Sequence, residues 1–320
     1  MGMKNNKKIK PHIVVIGGGT GSFTVLSGLK HYPVDLTAVV TMADDGGSAG
    51  VLREEFGILP TGDVRRALIA MAHSNNRLLS DLFNYRFQEG GLSGHAFGNI
   101  MLTALERVTG SFEEAIDEAG RVLRVSGRVL PVTLDNIRLA AELENGSVVR
   151  GETNIDIPKH NGDLKIKKVW LEPDARLNKR VSKAISEADL IVIGPGDLYT
   201  SIVPNLVVGG MRRALRSARG KRVYVASIMT KWGETNGFTA RNFIDHVEKY
   251  VGRGALDYAI INKKRASDER LGRYAEESAE FVQPGELASR PVPVFGDFIR
   301  RSGFIRHDSE KLAKVLVSLL

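Results

Sequence analysis

The 320-residue sequence contains no cysteine. Disulfides, thiolate metal centres and a cysteine nucleophile are therefore excluded, and the composition fits a reducing compartment. No apolar run is long enough to span a membrane. The run behind the basic start MGMKNNKKIKP is far too short for a signal peptide, so residues 1–10 read as a short solvated tail. Also missing are a Ser-His-Asp arrangement in an elbow context, an H-E-x-x-H motif and the paired carboxylates of hydrolases. Beyond two glycine loops there is no internal repeat, and no segment is of low complexity. Lys+Arg number 45 against 37 Asp+Glu, a formal net charge of +8. That balance suits phosphorylated ligands. The basic clusters at Lys4–Lys10, Arg212–Arg222, Lys263–Arg265 and Arg300–Arg301 are not interleaved with aromatics, so no nucleic acid is expected as a partner.

Apolar strand-like runs alternate with helical periodicity, which predicts an α/β fold with a mainly parallel sheet flanked by helices. Strands are expected at 12–16, 36–42, 128–133, 189–193, 222–227, 257–262 and 292–295. Helices are expected at 20–31, 62–73, 76–87, 96–109, 112–124, 175–187, 205–218, 239–251, 268–279 and 309–319. Ser111 and Glu114 have capping-box spacing, and Asp308 or Ser309 caps the last helix. Residues 138–172 alternate apolar and polar around Asn145-Gly146, a hairpin turn pair. They predict a small antiparallel elaboration on a single domain covering 11–320.

The polar residues collect at strand ends, where an open parallel sheet binds ligands. The first strand breaks into Gly17-Gly18-Gly19-Thr20-Gly21 ahead of a helix, a turn suited to cradling an anion. The dinucleotide fingerprint G-x-G-x-x-G is incomplete, because Ser22 stands where its third glycine would be. That counts against a nicotinamide-dependent oxidoreductase. The second strand runs into Asp44-Asp45-Gly46-Gly47-Ser48, which can bind a hard cation, accept ribose hydroxyls or cap a helix. Arg65 and Arg66 lie in the first turn of a helix beginning near Gly62. Cations are disfavoured there unless they meet an anion. His95 and Asn99 start another helix, and His95 has no partner at a fixed spacing. A second glycine loop, Gly194-Pro195-Gly196, leads into Asp197, Tyr199 and Thr200, with Asn205 as a cap for the next helix. Further strand ends carry Glu234 and Thr235, then Asn262 and Lys263.

With the motifs GGGTG (17–21), MADDGGS (42–48), PTGDVR (60–65), GHAFGN (94–99), GPGDLYTSIVPNL (194–206), GET (233–235) and RHD (306–308), the chain resembles the CofD superfamily along nearly its whole length. It is most similar to the YvcK branch, the gluconeogenesis factors also called GlmR. The resemblance implies a Rossmann-like CofD fold and a cytoplasmic bacterial regulator. Such a protein binds UDP-sugars, notably UDP-N-acetylglucosamine, adjusts carbon flow into cell-wall precursors and supports cell shape during gluconeogenic growth. It further implies ligand-site roles for Thr20, Tyr274 and Arg306. Alongside these, Gly18, Gly19, Gly21, Asp44, Asp45, Ser48, Arg65, Asn99, Gly194, Pro195, Gly196, Tyr199, Thr200, Asn205, Glu234, Thr235, Asn262 and Lys263 form the expected ligand set. A homodimer is expected, with a cell-wall precursor enzyme such as glucosamine-6-phosphate synthase as partner. No cofactor is required on this reading. CofD itself transfers phospholactate-type groups, and its metal-binding aspartates match Asp45 and Asp63 here. A metal-dependent transferase holding a divalent cation such as magnesium is therefore the alternative. Two departures stand out: Lys231-Trp232 replaces the usual Gln-Pro before GET, and Ala49-Gly50-Val51 replaces the usual Ser-Gly-Arg. Ser309, at a helix start near Arg306, is a candidate regulatory phosphorylation site.

Overall fold

The computed structural model describes residues 10–73 and 77–320. Residues 1–9 of the expected basic tail, and residue 76 of the expected third helix, lie outside the described residues. The strands are β1 (His12–Gly17), β2 (Asp35–Val40), β3 (Arg128–Pro131), β4 (Arg138–Leu143), β5 (Val148–Arg150), β6 (Ile166–Glu172), β7 (Leu190–Ile193), β8 (Lys221–Val225), β9 (Tyr258–Asn262) and β10 (Val292–Gly296). Seven of them form one sheet in the order β10-β9-β8-β7-β1-β2-β3. Every pairing in it is parallel. The central strands β1 and β7 are buried along their whole length, which is why their apolar runs do not alternate.

The chain first adds β2 and β3 on one side of β1, then returns to place β7 on the other side and continues outward. The strand order therefore reverses between β1 and β7, and a crevice opens beyond their carboxyl ends. Ile16 is in register with Ile193, and the Gly194 N–H donates to the Ile16 carbonyl at 2.9 Å. Both glycine loops predicted from the sequence thus leave the sheet side by side.

The return segment carries the expected elaboration, a three-stranded antiparallel sheet in the order β5-β4-β6. Asn145 and Gly146 form its hairpin turn. The Gly146 N–H donates to the Leu143 carbonyl, and Asn145 Oδ1 accepts from the Ser147 N–H, at 2.9 and 3.0 Å. Leu139, Ala141, Leu143, Val169 and Leu171 join the same buried core as the main sheet.

The helices differ from expectation in three places. A helix at Gly47–Phe56 is new; it buries Ser48, Ala49, Gly50, Leu52 and Arg53, so no apolar stripe announces it. A short helix, Glu152–Asp156, interrupts the elaboration. The expected helix at 205–218 is broken into helices at Val203–Leu206 and Met211–Ser217, and a π-helical turn at Leu198–Ile202 precedes them. Asn205 consequently lies inside a short helix and caps nothing; its Nδ2 donates to the Ser201 carbonyl at 2.9 Å. Of the two candidate caps for the last helix, Asp308 is the cap, accepting from the Glu310 and Lys311 N–H groups at 3.1 and 3.0 Å. Ser309 is the first helical residue.

That last helix packs on the first, Gly19–Leu29, at very close range. A Cβ on Gly28 would come within 2.1 Å of the Ser309 carbonyl oxygen. Gly28→Val should therefore destabilise the fold by about 1–3 kcal/mol through overpacking, read as a lowered urea midpoint. An unchanged midpoint would contradict this packing.

Candidate functional site

The site starts from backbone. The two glycine turns pack so closely that a Cβ on Gly21 would meet the Pro195 carbonyl oxygen at 2.0 Å and the Gly196 nitrogen at 3.0 Å. Glycine at 21 lets the two chains touch. The helix begins at Gly19, and the N–H groups of its first turn have no intrahelical acceptor. Gly18, Gly19, Thr20 and Gly21 from one turn and Pro195 and Gly196 from the other line one cleft of about 1010 Å³. Gly194 sits beneath them, bonded to β1.

A carboxylate already occupies part of the cradle. Asp63 is buried, and its Oδ1 accepts the Gly19 N–H at 2.9 Å, with Arg66 Nη1 at 3.5 Å. Burial raises its pKa above the usual range. Asp44 also faces the cleft, and its pKa is pushed up to about 6 by burial and by Asp63. Glu152, from the short helix of the elaboration, joins them; burial and Asp44 push its pKa up to about 9. Asp45 lies apart from this group. Its two oxygens accept the Glu152 and Thr153 N–H groups at 3.0 and 2.9 Å, clasping the elaboration to the loop after β2.

A second polar cluster lies under the second glycine loop. Lys231 Nζ bonds Asp156 and lies 3.3 Å from both Asp197 and Glu234. Burial opposes its charge, yet the three carboxylates outweigh that and raise its pKa. Glu234 is buried; its oxygens accept the Tyr199 N–H at 2.9 Å and the Thr200 hydroxyl at 3.0 Å. Burial lifts its pKa to about 7, with Lys231 pulling the other way. Thr235 Oγ1 accepts the Lys231 N–H at 2.9 Å. Glu234 and Thr235 therefore shape the loop from below, while Thr200 and Lys231 reach the cleft. The Tyr199 ring is buried in the core, and burial raises its pKa.

Other walls come from more distant segments. Ser48 Oγ accepts the Ala96 N–H and Asn99 Nδ2 at 3.2 and 3.1 Å and lies 3.3 Å from His95 Nδ1, fixing the start of that helix. Arg65 is buried with its Nε on Asn99 Oδ1 at 3.0 Å, and burial lowers its pKa to about 10. Arg66, with a side chain 46% exposed, is the freer cation of the pair. Tyr274 accepts the Ile305 N–H at 2.9 Å, tying its helix to the segment that carries Arg306. Both reach the cleft, as does His307, whose pKa burial lowers to about 4.

The structure thus brings Gly18, Gly19, Thr20, Gly21, Asp44, Ser48, Asp63, Arg65, Asn99, Pro195, Gly196, Thr200, Tyr274 and Arg306 to one cleft. It places others away from the cleft surface. Asn262 braces Phe298 and Lys264 through 2.9 and 2.8 Å bonds, and the Lys263 ammonium lies 3.9 Å from the centre of the Phe295 ring. Asn205 is fully buried, with its Oδ1 lacking a partner among the described residues. Ser309 does not line the cleft. Sequence reasoning missed Glu152, Asp156 and the ion cluster around Lys231. Their only local signal was the departure at Lys231-Trp232, because the partners come from three separate segments.

A family model described as 2-phospho-L-lactate transferase CofD matches residues 13–295. The gluconeogenesis factor of Bacillus subtilis is 43% identical over 318 residues, covering 97% of this chain and 98% of that protein. The gluconeogenesis factor of Halalkalibacterium halodurans is 41% identical over 314 residues, covering 96% of each. A crystal structure of a UPF0052 family member from Bacillus halodurans matches with a TM-score of 0.90 at 39% identity, covering 96% of this chain and 99% of that one. The α/β fold expected from the sequence is therefore the fold of this solved relative.

The raised pKa of Glu152 has a measurable consequence. Its folded form keeps a proton that the unfolded chain releases, so its contribution becomes less favourable as pH rises from the ordinary carboxylate range to about 9. In the presence of a chelator, Glu152→Gln should gain thermal stability over wild type progressively between about pH 5 and 9. A difference that stays constant with pH would contradict this placement.

Proposed function

We propose that this chain, which belongs to the CofD family and within it to the gluconeogenesis factors, is a regulatory binder of nucleotide sugars, UDP-N-acetylglucosamine foremost. The observation that carries this reading is the joint backbone cradle at Gly18–Gly21 and Pro195–Gly196. It opens on a cleft of about 1010 Å³ that suits an elongated ligand with two ends. The helix start at Thr20 and Gly21 offers N–H groups to a diphosphate. Arg66 and Arg306 supply positive charge from other walls. Tyr274 holds the segment bearing Arg306 in place. Binding reports nucleotide-sugar supply and adjusts carbon flow into cell-wall precursors, with an effect on cell shape during gluconeogenic growth. The protein works in the cytoplasm as a homodimer, with an enzyme such as glucosamine-6-phosphate synthase as its partner. Phosphate on Ser309 would meet the start of the last helix.

One observation favours a second reading, a metal-dependent transferase of a phospholactate-type group from a nucleotide diphosphate-linked donor. Asp44, Asp63 and Glu152 converge beside the cradle under an electrostatic burden that raises all three pKa values. Their oxygens are not gathered as closely as those of Asp156, Asp197 and Glu234, which all lie within 4.8 Å of one another, so a hard divalent cation such as magnesium would have to draw them together as it offset diphosphate charge. Asp63 is the residue that both the family likeness and this convergence point to. Asp45, the other expected ligand, has both oxygens committed to the elaboration.

Calorimetric titration with UDP-N-acetylglucosamine tests the first reading. Arg306 is exposed, so Arg306→Ala should leave thermal stability unchanged while weakening binding at least about tenfold, the size of a lost charge-assisted bond. No heat and no thermal shift at millimolar ligand would sink the proposal.

A further inference from the structure

One wall of the cleft has a different character. Glycine turns, carboxylates and cations make up much of the lining, but the loop after β8 presents Trp232 beside Ile157 and Pro158. Trp232 is 37% exposed and Ile157 64% exposed.

The indole is fixed from behind. A Cβ on Gly162 would lie 2.5, 2.6 and 2.7 Å from three adjacent atoms of its six-membered ring, Cζ2, Cε2 and Cη2. Near-equal distances to three consecutive ring atoms place Gly162 over the ring face; an approach along the edge would leave the outer two markedly farther. Only a glycine fits under that face. Trp232 Nε1 donates to Asp163 Oδ1 at 3.2 Å, which fixes the ring's rotation. Asn236 ties the two loops together, donating to the Gly162 carbonyl at 2.8 Å and accepting the Gly233 N–H at 2.9 Å. One face is thus packed and the polar edge bonded, leaving the other face for the cleft. The neighbouring Lys231 reaches Asp197, the residue after the second glycine turn, at 3.3 Å. The ring lines the same cleft as the phosphate cradle.

We propose that Trp232 is a preformed stacking platform for the planar base of a nucleotide ligand, with Ile157 and Pro158 forming its apolar border. A base offers a π-face that an indole can cover whatever its hydrogen-bonding edge, and a fixed ring loses little freedom on binding. The inference rests on the nucleotide-sugar reading and adds the part of the ligand that this wall recognises. It assigns the base to Trp232 and leaves the phosphates to the glycine turns.

The sequence has two tryptophans, and Trp170 lies on β6 outside the cleft. In a Trp170→Phe background, Trp232 is the sole indole reporter. UDP-N-acetylglucosamine should quench its emission. Trp232→Ala should weaken that ligand about tenfold, and Trp232→Phe should stay within about threefold of wild type. N-acetylglucosamine 1-phosphate and pyrophosphate, which lack a base, should bind Trp232→Ala and wild type alike. Equal affinity of wild type and Trp232→Ala for UDP-N-acetylglucosamine, with unchanged emission, would overturn the platform and leave the proposed function standing. Quenching by UMP or GMP without binding of the nucleotide sugar would keep the platform and overturn the proposed function. No quenching by any nucleotide would overturn the platform.

Discussion

The backbone contact between the turn after β1 and the turn after β7 sets the geometry of the whole cleft. Strand order brings the two turns together, because β1 and β7 pair directly, Ile13 with Leu190 through Ile16 with Ile193, although they are far apart in the chain. Residue type then allows them to touch: at Gly21 a methyl group would overlap the Pro195 carbonyl. The helix that starts there gives its first N–H, on Gly19, to Asp63 and leaves those of Thr20 and Gly21 without an intrahelical acceptor beside the shared crevice. Fold and ligand chemistry meet at this contact, and the same glycine turn that leaves the dinucleotide fingerprint incomplete is completed by a second loop.

Electrostatics then decides what the crevice accepts. Two like charges about 4 Å apart repel by roughly 1 kcal/mol in water and about 4 kcal/mol near a protein surface. A charge-assisted hydrogen bond contributes about 1.5–3 kcal/mol. Fully ionised Asp44, Asp63 and Glu152 would therefore cancel much of the attraction between the cradle and a phosphate. The raised pKa values express that conflict. Protons or a cation arriving with the ligand resolve it. Beneath the second loop Lys231 offsets part of the same kind of conflict, bridging Asp156, Asp197 and Glu234 and so holding three segments together.

Much of this was legible in the sequence. The seven strands of the parallel sheet follow from their apolar runs, and the elaboration follows from Asn145-Gly146 and the alternation around it. The glycine turns, Asp44, Asp63, Tyr274 and Arg306 were all singled out, by local chemistry or by family likeness, and all face one cleft. The helix at Gly47–Phe56 was not legible because it buries small and polar residues rather than an apolar stripe. Glu152 and Lys231 were hidden for another reason: their meaning lies in partners from other segments. Asp45 shows the converse. Its sequence context is that of a ligand-binding carboxylate, and its oxygens hold the elaboration's short helix in place instead.

The most direct measurement of the central claim is a cocrystal structure with UDP-N-acetylglucosamine. The account predicts the diphosphate at the helix start of Thr20 and Gly21, flanked by Pro195 and Gly196. Ligand density elsewhere, for instance in the separate groove lined by Val207, Val208 and Tyr250, would contradict it.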